Sequence, residues 1–169
     1  MKTTLLLIAI EIYVGLGNVD QVYWNYRLLG YHYAMMAEKR NGVTFAEARA
    51  HCQRYGSELA SIHNKATFDF VRETDATMKY ERSNVWIGLS GKTPNDFKWS
   101  DGTPVGYLAW TSEPKMDSQQ MYCGQMEYDN GVREFRKWIV VPCTEKASLF
   151  LCKKKVDKEE TKKPGPVTK

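Results

Sequence analysis

Asn84-Val85-Trp86-Ile87-Gly88-Leu89 is the stretch of sequence that decides the fold. It is short, apolar and rich in aromatic and β-branched residues, and the polar turn Ser90-Gly91-Lys92-Thr93-Pro94 follows it. An apolar run of this length between turn signals predicts a strand that is buried on both faces. Gly88 inside the run indicates that another backbone or a large side chain comes close at that point.

The composition is typical of a soluble globular protein with one domain. The chain has 169 residues, of which 26% are charged and 43% are hydrophobic, and a chain of this length can bury a substantial core. The formal charge of +4 lies in the segment after Cys152, where seven lysines stand against three carboxylates. Because residues 18–152 carry no net charge, the sequence argues against a domain built around the basic face that nucleic-acid binding requires, and we expect no nucleic-acid partner.

The first 17 residues, MKTTLLLIAIEIYVGLG, have the pattern of a secretory signal peptide. Lys2 precedes an apolar core, and Gly15-Leu16-Gly17 forms a small-residue exit, although Glu11 interrupts the apolar run. A signal anchor and a buried N-terminal strand are the alternatives. We expect cleavage of residues 1–17 and secretion into an oxidising extracellular compartment, where disulfides persist. Residues 18–30 would then form a lead-in to the domain.

Two helices are predicted before the central strand. Thr44-Phe45-Ala46-Glu47 forms a capping box, which predicts a helix over residues 45–55 with Cys52 on its core side. Asn64 is suited to cap a second helix over residues 65–74. Ahead of both helices, residues 31–35 alternate in the manner of a strand.

The four cysteines allow three pairings into two disulfides. Residues 121–128 and 132–141 read as two strands, and Asn130-Gly131 between them is a strong hairpin signal. Cys123 and Cys143 lie on the two limbs of this hairpin and are plausible partners across it. A last strand over residues 149–152 ends in Cys152, and a bond from Cys52 to Cys152 would join the first helix to the end of the fold.

The segment 153–169 is predicted to be a disordered, lysine-rich tail. It alternates in charge, contains Pro164-Gly165-Pro166 and has no aromatic residue. Such a segment buries too little apolar surface to offset the entropy of ordering. Its lysines suggest adhesion to an anionic surface as one alternative function, although a solvated tail is the simpler interpretation.

Six motifs occur in the order that is characteristic of the C-type lectin-like domain, and residues 31–152 resemble that family. The motifs are FAEARAHC, ELASIH, VWIGLSG, FKWSDGTPVGYLAW, VPC and FLCK. The resemblance implies an α+β fold in which two helices flank small antiparallel sheets, with a long irregular loop region. The four-cysteine count resembles the short form of the fold, and the family implies the disulfides Cys52–Cys152 and Cys123–Cys143.

The family's calcium site is degenerate in this sequence. Sugar-binding members hold calcium with a Glu-Pro-Asn or Gln-Pro-Asp loop, an acid before the third cysteine and a Trp-Asn-Asp strand. Here the loop reads Glu113-Pro114-Lys115, the acid position is Met121, and the strand reads Trp138-Ile139-Val140. Because calcium takes six to eight oxygen ligands, we expect no metal and no cofactor, with Lys115 paired to Glu113 or directed to solvent. The resemblance also implies a cis peptide bond before Pro114.

The expected function is recognition of an extracellular glycan or protein ligand, without calcium. The candidate binding residues belong to the polar loop 111–120 and the strand that follows it: Glu113, Lys115, Asp117, Gln119, Tyr122, Arg133 and Arg136. A calcium-dependent lectin is an alternative, and so is metal-free sugar binding by stacking on Trp110, Trp138 or Tyr122. Any oligomer would be non-covalent, because two disulfides use all four cysteines.

The sequence does not favour an enzyme. His32, His51 and His63 have no metal-type spacing, and each is interpreted as a surface or hydrogen-bonded histidine. Asp69 and Glu73 share one helical face, which is more typical of a solvated surface than of a catalytic pair. No phosphate-binding loop or nucleophile elbow is present.

Overall fold

The computed structural model describes residues 19–22, 26–38, 41–75, 83–117, 119–129 and 134–156. The predicted signal peptide, the Asn130-Gly131 turn and residues 157–169 of the predicted tail lie outside these ranges. The described elements follow along the chain as β1 (Val19–Val22), β2 (Tyr26–Leu28), β3 (Tyr31–Glu38), α1 (Phe45–Arg54), β4 (Glu58–Leu59), α2 (Lys65–Asp75), β5 (Val85–Gly91), β6 (Lys98–Trp99), β7 (Tyr122–Asp129), β8 (Glu134–Pro142) and β9 (Leu149–Lys155).

The strands form one mixed sheet with the order β1-β3-β9-β5-β7-β8, and β2, β4 and β6 pair with β3, β9 and β5. Every pairing between these strands is antiparallel except that of β5 with β9, where Val85 and Trp86 lie opposite Leu149 and Phe150. The α+β class is confirmed. The small antiparallel sheets of the prediction are merged into one, because this parallel pairing joins the two halves.

The central strand β5 is buried as predicted. Val85, Trp86, Ile87 and Leu89 have no exposed surface. The amide of Gly88 donates to Ala60 O at 2.9 Å, and a Cβ at position 88 would lie 2.7 Å from Leu59 O. The close approach that Gly88 predicted is therefore the contact between β5 and the chain after α1.

Both helices begin where the sequence predicts. Thr44 N donates to Glu47 Oε2 at 2.8 Å, and Glu47 N donates back to Thr44 Oγ1 at 3.4 Å, which completes the capping box of α1. Thr67 N donates to Asn64 Oδ1 at 2.8 Å and so caps α2. Cys52 is fully buried on α1, as its helical position implied.

Both disulfides are present in the predicted pairing. Cys52 joins Cys152 across 100 residues, and Cys123 joins Cys143 across 20 residues between β7 and the turn after β8. In the chain-entropy model, closing loops of these lengths stabilises the fold by about 5 and about 3 kcal/mol. The longer bond fixes α1 to β9, which lies in the middle of the sheet.

The predicted lead-in contains two strands, and three other predictions about the strands and turns are corrected. β1 and β2 occupy part of the predicted lead-in, and both pair with β3. β3 is buried on both faces from Tyr33 onward rather than on alternate residues, because sheet neighbours and core surround it. β9 runs to Lys155, so the first three lysines assigned to the tail belong to the sheet. No cis peptide bond occurs among the described residues, so the bond before Pro114 is trans.

In the described part of the chain, no helix is both long enough and apolar enough to cross a membrane.

Candidate functional site

The loop 111–121 leaves the sheet at one fixed point and returns at another. Trp138 N donates to Ala109 O at 2.6 Å, and Thr111 N donates to Trp138 O at 2.8 Å, so the chain is bonded to β8 just before the loop. The loop ends at β7, where Cys123 is held by its disulfide to Cys143. A polar surface loop is thus presented on a rigid support, which is the usual setting of a binding loop.

Four of the predicted binding residues are exposed together on this loop: Glu113, Lys115, Asp117 and Gln119. Gln119 N donates to Asp117 Oδ1 at 3.1 Å, which shapes a local turn. The loop therefore offers two carboxylates, an ammonium and an amide to solvent, and these groups can form hydrogen bonds with a polar ligand.

Tyr122 has a different role from the one predicted. Its residue is only 8% exposed, so its ring does not offer a face to a ligand. Its hydroxyl accepts hydrogen bonds from Gln120 Nε2 at 3.1 Å and from Asp117 N at 3.4 Å. Tyr122 therefore holds the loop from beneath. A tyrosine at the start of a predicted strand gives no sequence signal that separates this role from stacking.

The two remaining predicted residues are not placed by the structure. Arg133 lies outside the described residues, and Arg136 belongs to β8 with a side chain outside them. Lys137, which sequence reasoning missed, is exposed on β8 next to the fully buried Trp138. The period-2 alternation of a strand with one buried face was the signal that could have identified it.

The aromatic residues proposed as sugar platforms are core residues. Trp138 is fully buried, and four rings meet it edge to face at centroid distances between 5.7 and 6.0 Å: Phe68, Trp99, Tyr107 and Trp110. Trp110 is half-buried and also packs on Phe97 at 5.2 Å. Stacking of a sugar on Trp138 or Tyr122 is therefore excluded by burial in this conformation.

The loop and strand residues do not fit a calcium ion. Val140 packs against the hydrophobic core, and Ile139 is half-buried, so carbon chains occupy the positions where the family places oxygen ligands. No described group of three or more His, Cys, Asp or Glu side chains is arranged to hold a metal. Among the described residues no ion pair joins Glu113 to Lys115. Both are exposed, so Lys115 is directed to solvent, the second of the two predicted arrangements.

A groove of about 630 Å³ is formed by α2, residues 107–111 and Lys137 of β8, and it includes Thr111 at the start of the loop. Its lining residues come from α2, the segment 107–111 and β8: Lys65, Phe68, Asp69, Arg72, Tyr107, Leu108, Ala109, Thr111 and Lys137. Sequence reasoning missed this groove, because three separate segments form it.

A buried ion pair joins β9 to the turn after β6. Lys153 Nζ lies 3.2 Å from Asp101 Oδ2, where the two side chains are 5% and 16% exposed. The same ammonium donates to the Ser61 hydroxyl and lies 4.5 Å from the centre of the Tyr31 ring. Burial lowers the pKa of Lys153, and the Asp101 carboxylate opposes that shift.

Asp101 stays ionised in this setting. Burial by itself would raise the pKa of its carboxyl group, but hydrogen bonds from Ser61 and Thr103, together with Lys153, outweigh burial and lower the pKa to about 2. His63 Nε2 lies 3.1 Å from both of those hydroxyls, so this histidine is hydrogen-bonded. The cluster is a satisfied structural network that ties β9 to the turn after β6.

Comparison with known proteins agrees with this architecture. The family model of the lectin C-type domain matches residues 41–154. The C-type mannose receptor 2 of Homo sapiens is 37% identical over 82 residues, which is 48% of this chain and 5% of the receptor. The chain thus spans a small fraction of that receptor's length.

Two solved structures share the fold over nearly their whole length. Human lithostathine superposes with a TM-score of 0.64 and 29% identity, over 80% of this chain and 98% of that one. A calcium-independent type II antifreeze protein superposes with a TM-score of 0.62 and 25% identity, over 78% of this chain and 92% of that one. With its two disulfides, its central β5 strand and the match over residues 41–154, this chain belongs to the family of the lectin C-type domain.

Proposed function

We propose that this protein is a secreted recognition module, not an enzyme, that binds an extracellular glycan or protein ligand through the loop 111–121 without calcium. The observation that carries the proposal is the combination found at the loop. Its polar side chains are exposed on a support bonded to β8, whereas Lys115, Ile139 and Val140 stand where a calcium site needs oxygen ligands.

Calcium binding at this loop would have to overcome two unfavourable features. The ion requires several anionic oxygens, and Glu113 is the one carboxylate left among the family's ligand positions. An ammonium two residues away would repel the ion. The fold also occurs in an antifreeze protein described as calcium-independent, which supports a scaffold that works without the metal.

Secretion is supported by the signal-like residues 1–17 and by the two disulfides. Disulfides of this kind persist in oxidising compartments. Expression in a secretory host followed by N-terminal sequencing of the protein in the medium tests this part. We expect the mature chain to begin close to Asn18, and retention in the cell membrane would contradict it.

Binding is tested with the secreted protein on glycan and extracellular-protein arrays, run in parallel with calcium and with a chelator. We expect the same ligands and the same signals in both conditions. Lys115→Ala and Asp117→Ala should each lower the signal, whereas Lys92→Ala, an exposed lysine on another turn, should not. Loss of all binding in chelator, or micromolar calcium binding by calorimetry, would instead support a calcium-dependent lectin.

A further inference from the structure

The groove between α2 and residues 107–111 has the size of a ligand site and rigid walls. Its volume of about 630 Å³ falls within the range of about 300–1,000 Å³ that is usual for such sites. On one side, Phe68 of α2 meets the buried Trp138 ring at 6.0 Å, and on the other side Tyr107 meets the same ring at 5.7 Å. Because both walls rest on one buried indole, the groove is formed before any ligand arrives.

The groove has an apolar wall that is open to solvent. Leu108 is 42% exposed, which is unusual for a large aliphatic side chain in this domain, and Tyr107 beside it is half-buried. Ala109 is buried below them. A ligand in the groove can therefore cover apolar surface that the domain itself leaves in water.

The charges of the groove favour an anion. Lys65 Nζ is paired with Asp69 Oδ2 at 2.5 Å, so these two charges compensate each other. Within the described residues, neither Arg72 nor Lys137 has an ion-pair partner. The lining side chains thus have a surplus of two positive charges. The Glu127 carboxylate accepts a hydrogen bond from the lining residue Thr111 at 3.0 Å and compensates one of them. The remaining balance is positive, so a complementary ligand is negatively charged.

The segment 107–111 also presents a free main-chain edge. Ala109 O and Thr111 N are bonded to Trp138 of β8. Amide direction alternates along an extended chain, so the N–H and C=O of Trp110 point away from β8. In the described part of the chain, the main-chain groups of Leu108 and Trp110 have no hydrogen-bond partner. An edge of this kind can accept a further strand.

We propose that the groove binds an extended acidic peptide, which pairs with the free edge of residues 107–111 and places its carboxylates against Arg72 and Lys137. Its apolar side chains contact Leu108 and Tyr107. An acidic saccharide would satisfy the charges but cannot form the main-chain ladder, so the peptide is the occupant that the observations favour. This site shares only Thr111 with the loop 111–121 proposed above, and it does not require Lys115 or Asp117.

The test uses the secreted full chain with both disulfides and a fluorescein-labelled octapeptide of alternating Glu and Val, read by fluorescence polarisation. We expect this peptide to bind and a Lys–Val octapeptide not to bind. N-methylation of the amides along one edge of the Glu–Val peptide keeps its charge but removes the N–H groups that would donate hydrogen bonds to residues 107–111. We expect methylation of the edge that pairs to weaken binding by about tenfold.

Matched variants locate the site. Arg72→Gln and Lys137→Gln should each weaken binding about fivefold, and Lys98→Gln, which removes an exposed lysine on β6, should leave it unchanged. Lys115→Gln should also leave it unchanged, which separates this site from the loop. Thermal unfolding of each variant confirms that it is folded.

Three results would overturn the proposal. The first is equal affinity for the unmodified peptide and for both edge-methylated forms. The second is wild-type affinity in Arg72→Gln and Lys137→Gln. The third is a heparin fragment that binds in an Arg72-dependent way while the peptide does not bind, because the groove would then be a saccharide site.

Discussion

Replacing Lys153 by Met removes a buried ammonium from between β9 and the turn after β6. The lysine side chain is 5% exposed, and its partner Asp101 is 16% exposed. Met keeps most of the apolar stem, so the substitution removes mainly the ion pair, the hydrogen bonds to Ser61 and the contact with the Tyr31 ring.

The expected loss of stability follows from what is left behind. Removing one partner of a fully buried pair costs about 3–5 kcal/mol. Asp101 keeps its hydrogen bonds from Ser61 and Thr103 and some exposure to water, so we expect a loss at or just below the bottom of this range, about 2–3 kcal/mol. Asp101→Asn leaves Lys153 charged and almost inaccessible to water, so it should cost at least as much.

Urea unfolding of the disulfide-bonded protein gives the free energy of unfolding of the wild type, the two single variants and the double variant, which together form a double-mutant cycle. With a typical urea dependence of about 1–3 kcal/mol per molar, Lys153→Met should lower the midpoint by roughly 1–2 M. The double variant should be more stable than the sum of the two losses predicts, because neither charge is then buried alone. Additive losses, or a loss below about 0.5 kcal/mol for Lys153→Met, would refute the role assigned to this pair.

Three further predictions concern the same fold. Because the pKa of Asp101 is lowered to about 2, the stability that its carboxylate contributes is complete above the ordinary pKa of an aspartate and is lost as the pH falls toward 2. This contribution to the free energy of unfolding is at most about 2.5 kcal/mol before solvent screening. When unfolding is measured at decreasing pH, the Asp101→Asn variant should lack this pH-dependent loss of stability. Gly88→Ala should destabilise the protein by more than about 2 kcal/mol in thermal unfolding, because its new methyl group meets a main-chain carbonyl at 2.7 Å; Gly106→Ala, with no atom within 4 Å, is the control and should change little. Deleting residues 157–169 should leave the melting temperature unchanged, whereas a deletion that begins at Lys153 should unfold the domain. The same 157–169 deletion tests the tail on a heparin column: equal retention with and without these residues would show that they do not bind anionic surfaces.

Local features of the fold were predictable from the sequence because the residues that decide them are neighbours. The capping box of α1 needs only Thr44 and Glu47, and the central strand is marked by one apolar run and the turn after it. The pairing of Cys123 with Cys143 was suggested by a hairpin whose two limbs are close in the chain. In each case the structure confirmed the prediction.

Features that depend on distant partners were not predictable in this way. Lys153 looks like the start of a solvated tail until Asp101, 52 positions earlier in the numbering, is brought to 3.2 Å from it. Tyr122 looks like a binding residue until the sheet buries its ring and its hydroxyl accepts bonds from the loop. The groove beside α2 has no sequence signature, because Arg72 and Lys137 come to line one groove only after β8 and α2 pack together.

Strand β9 is the last of the described strands to be synthesised, yet it occupies the middle of the sheet, bonded to β3, β4 and β5. Until the ribosome has delivered Leu149–Lys155, β3 and β5 have no strand between them, and Cys52 has no partner to oxidise with. The domain therefore completes its fold only after nearly all of its residues have been translated, and a premature stop codon anywhere before β9 should yield a chain that quality control removes.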